Sequence, residues 1–108
     1  ENEIGVVISD QYPVSNGHSL VIPRSHVASV YDLPDDDQVQ LWKLVAQARI
    51  RLQEEREPDG FNIGINDGVA AGQTVMHAHV HVVPRHNGDV EDPKGGIRWV
   101  ISENARYW

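Results

Sequence analysis

Three histidines stand at alternate positions, His77, His79 and His81, separated by Ala78 and Val80 and followed by Val82 and Val83. On an extended strand alternate side chains share a face. The spacing therefore predicts three imidazoles on one face, with Ala78, Val80 and Val82 directed into a core. A neutral imidazole is a competent nucleophile near pH 7, because its unperturbed pKa is about 6.5. The central His79 is flanked on both sides, so it is placed to attack while a neighbour passes a proton to a leaving oxygen. Repulsion between adjacent imidazolium ions keeps some of the rings neutral. Phosphorus is the electrophile that suits this arrangement, since phosphohistidine is a workable covalent intermediate. Just upstream, Asp67 to Thr74 (DGVAAGQT) is rich in Gly and Ala. Small residues there let backbone N–H groups approach phosphate oxygens.

A metal centre is the competing use of clustered histidines. His77 and His81 lie about 13 Å apart along a strand at roughly 3.3 Å per residue. Ligand bonds of about 2.0–2.1 Å from both rings to one ion do not easily close that gap. A pair such as His77 and His79 could bind with help from another strand, which keeps a metal-dependent barrel protein as an alternative. No carboxylate stands well placed after the cluster, where Pro84 and Arg85 follow.

The elements that must position these residues belong to a chain of 108 residues, a length that supports one domain over 1–108. Lys and Arg number 9 against 16 Asp and Glu, a formal net charge of −7. Neutralising phosphates along a duplex needs a basic face, so nucleic acid is not an expected partner. No apolar run approaches the roughly 20 residues that span a bilayer, so a membrane is not expected either. The sequence has no Cys, which excludes a disulfide framework or a zinc–thiolate site within it and fits a reducing, cytoplasmic compartment.

Glu3 to Ser9 is β-branched and reads as a strand. Asp10 to Gly17 carries turn chemistry, and Leu20-Val21-Ile22 resumes a strand that Pro23 ends. Ser25 is a candidate cap for a short helical turn through Tyr31. Leu33-Pro34 and the carboxylates Asp35, Asp36 and Asp37 open a long helix, the acids suiting the positive end of its dipole. It runs to about Glu55, and Pro58-Asp59-Gly60 stops it. Phe61 to Asn66 and Val75 to Val83 read as two more strands, residues 85–97 as a mobile loop, and Arg98 to Ile101 as a last short strand.

Taken together, these residues resemble the histidine triad (HIT) family, whose signature is His-x-His-x-His followed by two apolar residues, with apolar x. Here it stands as His77-Ala78-His79-Val80-His81-Val82-Val83. The likeness extends to Gly17-His18-Ser19-Leu20-Val21-Ile22-Pro23, His26, Asn66 and Gly72-Gln73-Thr74-Val75, in order along nearly the whole chain. The resemblance implies an α+β fold: a five-stranded antiparallel sheet with one long helix and a short one. It implies a nucleotide substrate, expected to be a purine nucleotide, attacked at its α-phosphorus to give a nucleotidyl-histidine that water then cleaves. Carried over, His79 is the nucleophile, His77 assists the leaving group, His81 orients the site and His18 is a fourth, supporting histidine. Gln73, Thr74 and Asn66 contact phosphate, and Asp10 binds ribose. Turn roles compete for Asp10 and Asn66, and His26 reads as structural. No cofactor and no metal are implied, since the zinc-binding members use cysteines that this sequence lacks.

Which branch is meant is mixed. Pro84-Arg85 with Gly88-Asp89 resembles the fragile-histidine-triad branch, which hydrolyses dinucleoside polyphosphates. Asp10 resembles the nucleoside phosphoramidase branch, and Gly95-Gly96-Ile97-Arg98-Trp99 resembles bacterial members. A nucleotidyltransferase or phosphorylase of the same superfamily, with phosphate as second acceptor, is the alternative to a hydrolase.

The long helix carries one more message. At 100° per residue, Leu41, Leu44, Val45, Ala48 and Leu52 form one apolar cluster, and Val39, Trp42, Ala46 and Ile50 form a second. Together they span roughly 240°, more than the ~100° stripe one sheet face needs. A homodimer across the second cluster is the expectation, as the resemblance also implies. Cover by residues 85–108, with Trp99, Tyr107 and Trp108, is the alternative.

Overall fold

The computed structural model describes residues 2–108. Four strands, β1 (Gly5–Ser9), β2 (Ser19–Pro23), β3 (Gly60–Gly64) and β4 (Val80–Arg85), form one open antiparallel sheet in the order β1-β2-β4-β3. One long helix, α1 (Asp35–Arg56), crosses it, giving an α+β fold. The sheet does not close on itself, so the barrel alternative is set aside. No helix is long and apolar enough to cross a membrane among the described residues.

The pattern of α1 explains the core. Leu41, Leu44, Val45, Ala48 and Leu52 are buried against Val21, Val80 and Val82 of the sheet. Pro34 precedes the helix without a side-chain cap, and three aspartates occupy its first turn, where the dipole favours negative charge. At the far end Glu57 turns left-handed (φ 49°) ahead of Pro58, ending the helix one residue beyond the expected limit. The second cluster of α1 stays open: Val39, Trp42 and Ile50 are 52%, 40% and 55% exposed. Residues 85–108 do not cover it. Residues 90–101 instead wall a groove on the opposite face of the sheet, described below.

Five expectations are corrected. The sheet has four strands among the described residues, not five. Arg98–Ile101 is part of a run of 3₁₀ turns over Gly96–Asn104. Gly95 and Gly96 both take positive φ (96° and 47°) and turn the chain out of strand geometry, while Arg98 donates back to the Ala105 and Asn104 carbonyls. The last long strand begins at Val80, not Val75, because residues 73–78 are tied elsewhere. Ala78 N–H donates to the Val27 carbonyl (2.7 Å), and the Gln73 amide donates to the Ala28 and Val75 carbonyls. The short helix is a single 3₁₀ turn, Val30–Asp32, capped by Ser29 rather than Ser25. Residues 85–89 are not loose: Arg85 closes on Asp89 in a two-pronged ion pair (2.7 and 2.8 Å).

Candidate active site

His18 enters the site from the β1–β2 connection. That connection ends on Gly17, which takes φ +90° and lies so near α1 that a Cβ there would sit 2.9 Å from Arg56 Nε and 3.2 Å from Leu52. Asp10 and His18 close the hairpin through Asp10 N–H to the His18 carbonyl (3.0 Å). The β2–β4 pairing places Leu20 opposite His81, and the sheet face so defined carries His81 beside His18.

The hydrogen bonds fix where the protons sit. Val14 N–H donates to His18 Nδ1 (3.2 Å), so neutral His18 carries its proton on Nε2. That Nε2 lies 2.9 Å from His81 Nδ1 and 3.4 Å from an Asp10 carboxylate oxygen. His81 Nδ1 is thereby an acceptor, and its own proton is on Nε2. His79 Nδ1 lies 2.9 Å from the His77 carbonyl, which can only accept, so the His79 lone pair is on Nε2. The His79 and His81 ring centroids are 5.1 Å apart, and those of His18 and His81 5.2 Å. Burial lowers the His81 pKa, the neighbouring His79 and His18 lower it further, and Asp10 partly offsets them. His81 is thus neutral near pH 7.

The structure brings together His18, His79, His81 and Asp10. It separates His77: that ring donates from Nε2 to the Pro23 carbonyl (2.7 Å) and meets His26 at 2.9 Å between Nδ1 atoms. Only His81 lies on β4, so the expected single face of three imidazoles is not formed. Asp10 also accepts from Tyr12 N–H (2.8 Å), making the turn that competed with a ribose role. Gln73 is buried with its amide fully used: Nε2 on two carbonyls and Oε1 accepting from Gly68 N–H (2.9 Å). It offers no free donor to a phosphate in this arrangement and instead holds the 68–75 loop. Thr74 and Asn66 are exposed. Among the described residues, Asp10, His18 and His81 present ligand atoms within 4.8 Å of one another and could hold a cation, whereas the alternative pair His77 and His79 forms no such group.

The sequence reading missed a groove of about 1170 Å³ that ends on His18 and His81. Its floor is Asn62, Gly64 and Val83, brought to the His81 face by the β3–β4 register. Its outer wall is drawn from residues 90–101. The alternation of β3 could have indicated the floor, but nothing local indicated the wall.

An antiparallel sheet crossed by one helix, with a histidine cluster at its centre, defines the class. A model of the HIT domain matches residues 1–88, and the chain belongs to the HIT family. An uncharacterised HIT-like protein of Mycoplasma pneumoniae is 40% identical over 87 residues, 80% of this chain and 60% of that protein. Adenylylsulfatase HINT3 of Arabidopsis thaliana is 33% identical over 89 residues, 82% of this chain and 45% of that one. The crystal structure of a hypothetical histidine triad nucleotide-binding protein from Sulfolobus tokodaii superposes with a TM-score of 0.78 at 37% identity, covering 85% of this chain and 62% of that one. The chain thus spans less than two thirds of the length of each of these relatives.

Proposed function

We propose that the chain is a nucleotide hydrolase acting at the α-phosphate of a dinucleoside polyphosphate or nucleoside phosphoramidate, through a nucleotidyl intermediate on His79. The observation that carries this reading is the His79 Nδ1 bond to the His77 carbonyl, which leaves Nε2 as the attacking atom. His77 then contributes through its carbonyl rather than its ring. His81 Nε2–H, with its Nδ1 held by His18, donates a hydrogen bond to the leaving atom, which takes up its proton from solvent as its bond to phosphorus breaks. In the second step water attacks the phosphorus, His79 leaves with its Nε2 lone pair restored, and the proton of the attacking water goes to solvent. Asp10 is the candidate ribose acceptor, since a carboxylate can take both hydroxyls. Asn66 and Thr74 are candidate phosphate contacts. The nucleotide-binding and adenylylsulfatase relatives support a nucleotide substrate, with a purine as the working choice.

A homodimer across Val39, Trp42, Ala46 and Ile50 belongs to the same reading, supported by the exposure of that face. The experiment for the chemistry is acid-free quenching with labelled substrate, followed by mapping of the label. Label on His79 supports the mechanism, and turnover without any labelled protein overturns it. Product analysis with and without inorganic phosphate separates hydrolase from phosphorylase.

A further inference from the structure

We propose that Asn16 is a site of spontaneous deamidation, and that the isoaspartyl link formed there releases the contact between His18 and His81. The modification is independent of the hydrolase reading above, and only its effect on turnover rests on that reading.

Asn-Gly occurs twice in the chain, at Asn16-Gly17 and Asn87-Gly88. Deamidation needs the backbone nitrogen after Asn to reach the carboxamide carbon, and Gly, lacking Cβ, hinders that approach least. Asn16 is exposed in the β1–β2 connection. Among the described residues, no hydrogen bond engages its carboxamide or the Gly17 N–H, so both reacting groups are uncommitted. The Gly17 carbonyl accepts from Ser19 Oγ (2.8 Å), and the turn is closed by His18 N–H donating to the Ser15 carbonyl (3.1 Å). Rotation of the Asn16–Gly17 peptide toward attack therefore gives up one backbone hydrogen bond.

The position makes the reaction consequential. Ser15 is fixed to β4 through its Oγ, which donates to the Pro84 carbonyl (2.8 Å), and His18 is 4% exposed. Only Asn16 and Gly17 span the two. Gly17 has no room to shift toward α1, where a Cβ would already sit 2.9 Å from Arg56 Nε. An isoaspartyl link adds one backbone carbon to this span and leaves a carboxylate beside it. Val14, whose N–H donates to His18 Nδ1 (3.2 Å), lies on the far side of the added carbon from His18. That bond loosens, the His18 tautomer is no longer fixed, and the 2.9 Å contact from His18 Nε2 to His81 Nδ1 goes with it. Asn87 supplies an internal reference. It is exposed as well, but its N–H donates to Asp59, beyond the Arg85 end of β4 and away from His81.

The step balances with water alone. The Gly17 nitrogen gives its proton to solvent and forms a bond to Asn16 Cγ. The carboxamide C–N bond breaks with its electron pair on nitrogen, and ammonia leaves with a proton from solvent. Water then opens the succinimide. Attack at the main-chain carbonyl carbon breaks its bond to the Gly17 nitrogen and gives isoaspartate, whereas attack at Cγ gives aspartate. The net change is one water in and one ammonia out.

The test incubates the full chain in mildly alkaline buffer and maps it by peptide mass spectrometry. Isoaspartate is counted by methyl transfer from S-adenosylmethionine with an isoaspartyl methyltransferase. Isoaspartate at position 16 is expected to accumulate, and the Val14 amide and the His18 and His81 ring signals should move in the modified fraction. Repair by the methyltransferase should return them. In that fraction kcat/KM, for whichever of a nucleoside phosphoramidate and a dinucleoside polyphosphate the parent turns over, should fall at least about 10-fold, the scale of a displaced catalytic group. Asn16→Gln should age without these changes. Asn16→Asp, which brings the charge without the added backbone carbon, should keep the parent ring signals. Absence of isoaspartate at position 16, whether or not position 87 reacts, overturns the site. Isoaspartate at position 16 with unmoved Val14, His18 and His81 signals overturns its effect on the histidines. Moved signals with unchanged turnover uphold the modification and overturn the hydrolase reading instead.

Discussion

His18 Nε2 lies 2.9 Å from His81 Nδ1, and the Val14 N–H held at His18 Nδ1 sets the direction of that bond. One backbone amide in the β1–β2 connection thus decides which nitrogen of a β4 histidine carries the proton. Replacing His18 by Ala leaves His81 free to change tautomer. Turnover should fall through kcat more than KM, the mark of an interaction used in the transition state. A change confined to KM would contradict this relay.

His79→Ala removes the proposed attacking atom. Turnover should fall by at least about 1000-fold while nucleotide binding survives. Steady-state assays paired with calorimetric binding check both halves. Near-normal turnover would place the nucleophile elsewhere.

The His81 shift has a consequence for stability. The folded-state pKa is lowered from 6.5 by burial first and by His79 and His18 next, with Asp10 acting oppositely. Below pH 6.5 the unfolded chain binds a proton that the folded chain resists. The His81 contribution is therefore complete above pH 6.5 and declines as pH falls from there toward the folded pKa. Asp10→Asn removes the one raising influence, so the His81 midpoint should move further down. An NMR titration of the His81 ring measures it, and an unchanged or higher midpoint would refute the assignment.

Gly17→Ala forces a side chain into left-handed backbone and against Arg56 and Leu52. The cost should be about 1–3 kcal/mol. Denaturant unfolding reads that loss, and His81 ring shifts should report displacement of His18. Stability equal to the parent would show that the β1–β2 connection relaxes freely.

Trp42 is the centre of the uncovered α1 face. Trp42→Glu should convert a dimer to a monomer in light scattering with little change in fold. A parent protein that is already monomeric at micromolar concentration would refute the dimer outright.

Much of this protein was legible in its sequence because the signals were local. The 3.6-residue periodicity of Leu41, Leu44, Val45, Ala48 and Leu52 marked the buried face of α1, and that face is buried as read. The apolar run Leu20-Val21-Ile22 and the segment Val75 to Val83 marked strands whose buried residues meet that helix, although the second begins only at Val80. The His-x-His-x-His spacing singled out His79 and His81, which the structure keeps as neighbours. Tertiary structure alone decided the rest, through bonds between segments far apart in the chain. The Pro23 and Val27 carbonyls draw His77 and Ala78 out of the ladder, so alternation in sequence did not become a shared face in space. The amide of Gln73 is taken up by three backbone groups, two of them at Gly68 and Ala28. Arg98–Ile101 has the apolar character of a strand, but two left-handed glycines turn it into a wall across from β3 and β4. A strand propensity states what a segment can do beside a suitable neighbour, and only the folded chain supplies the neighbour.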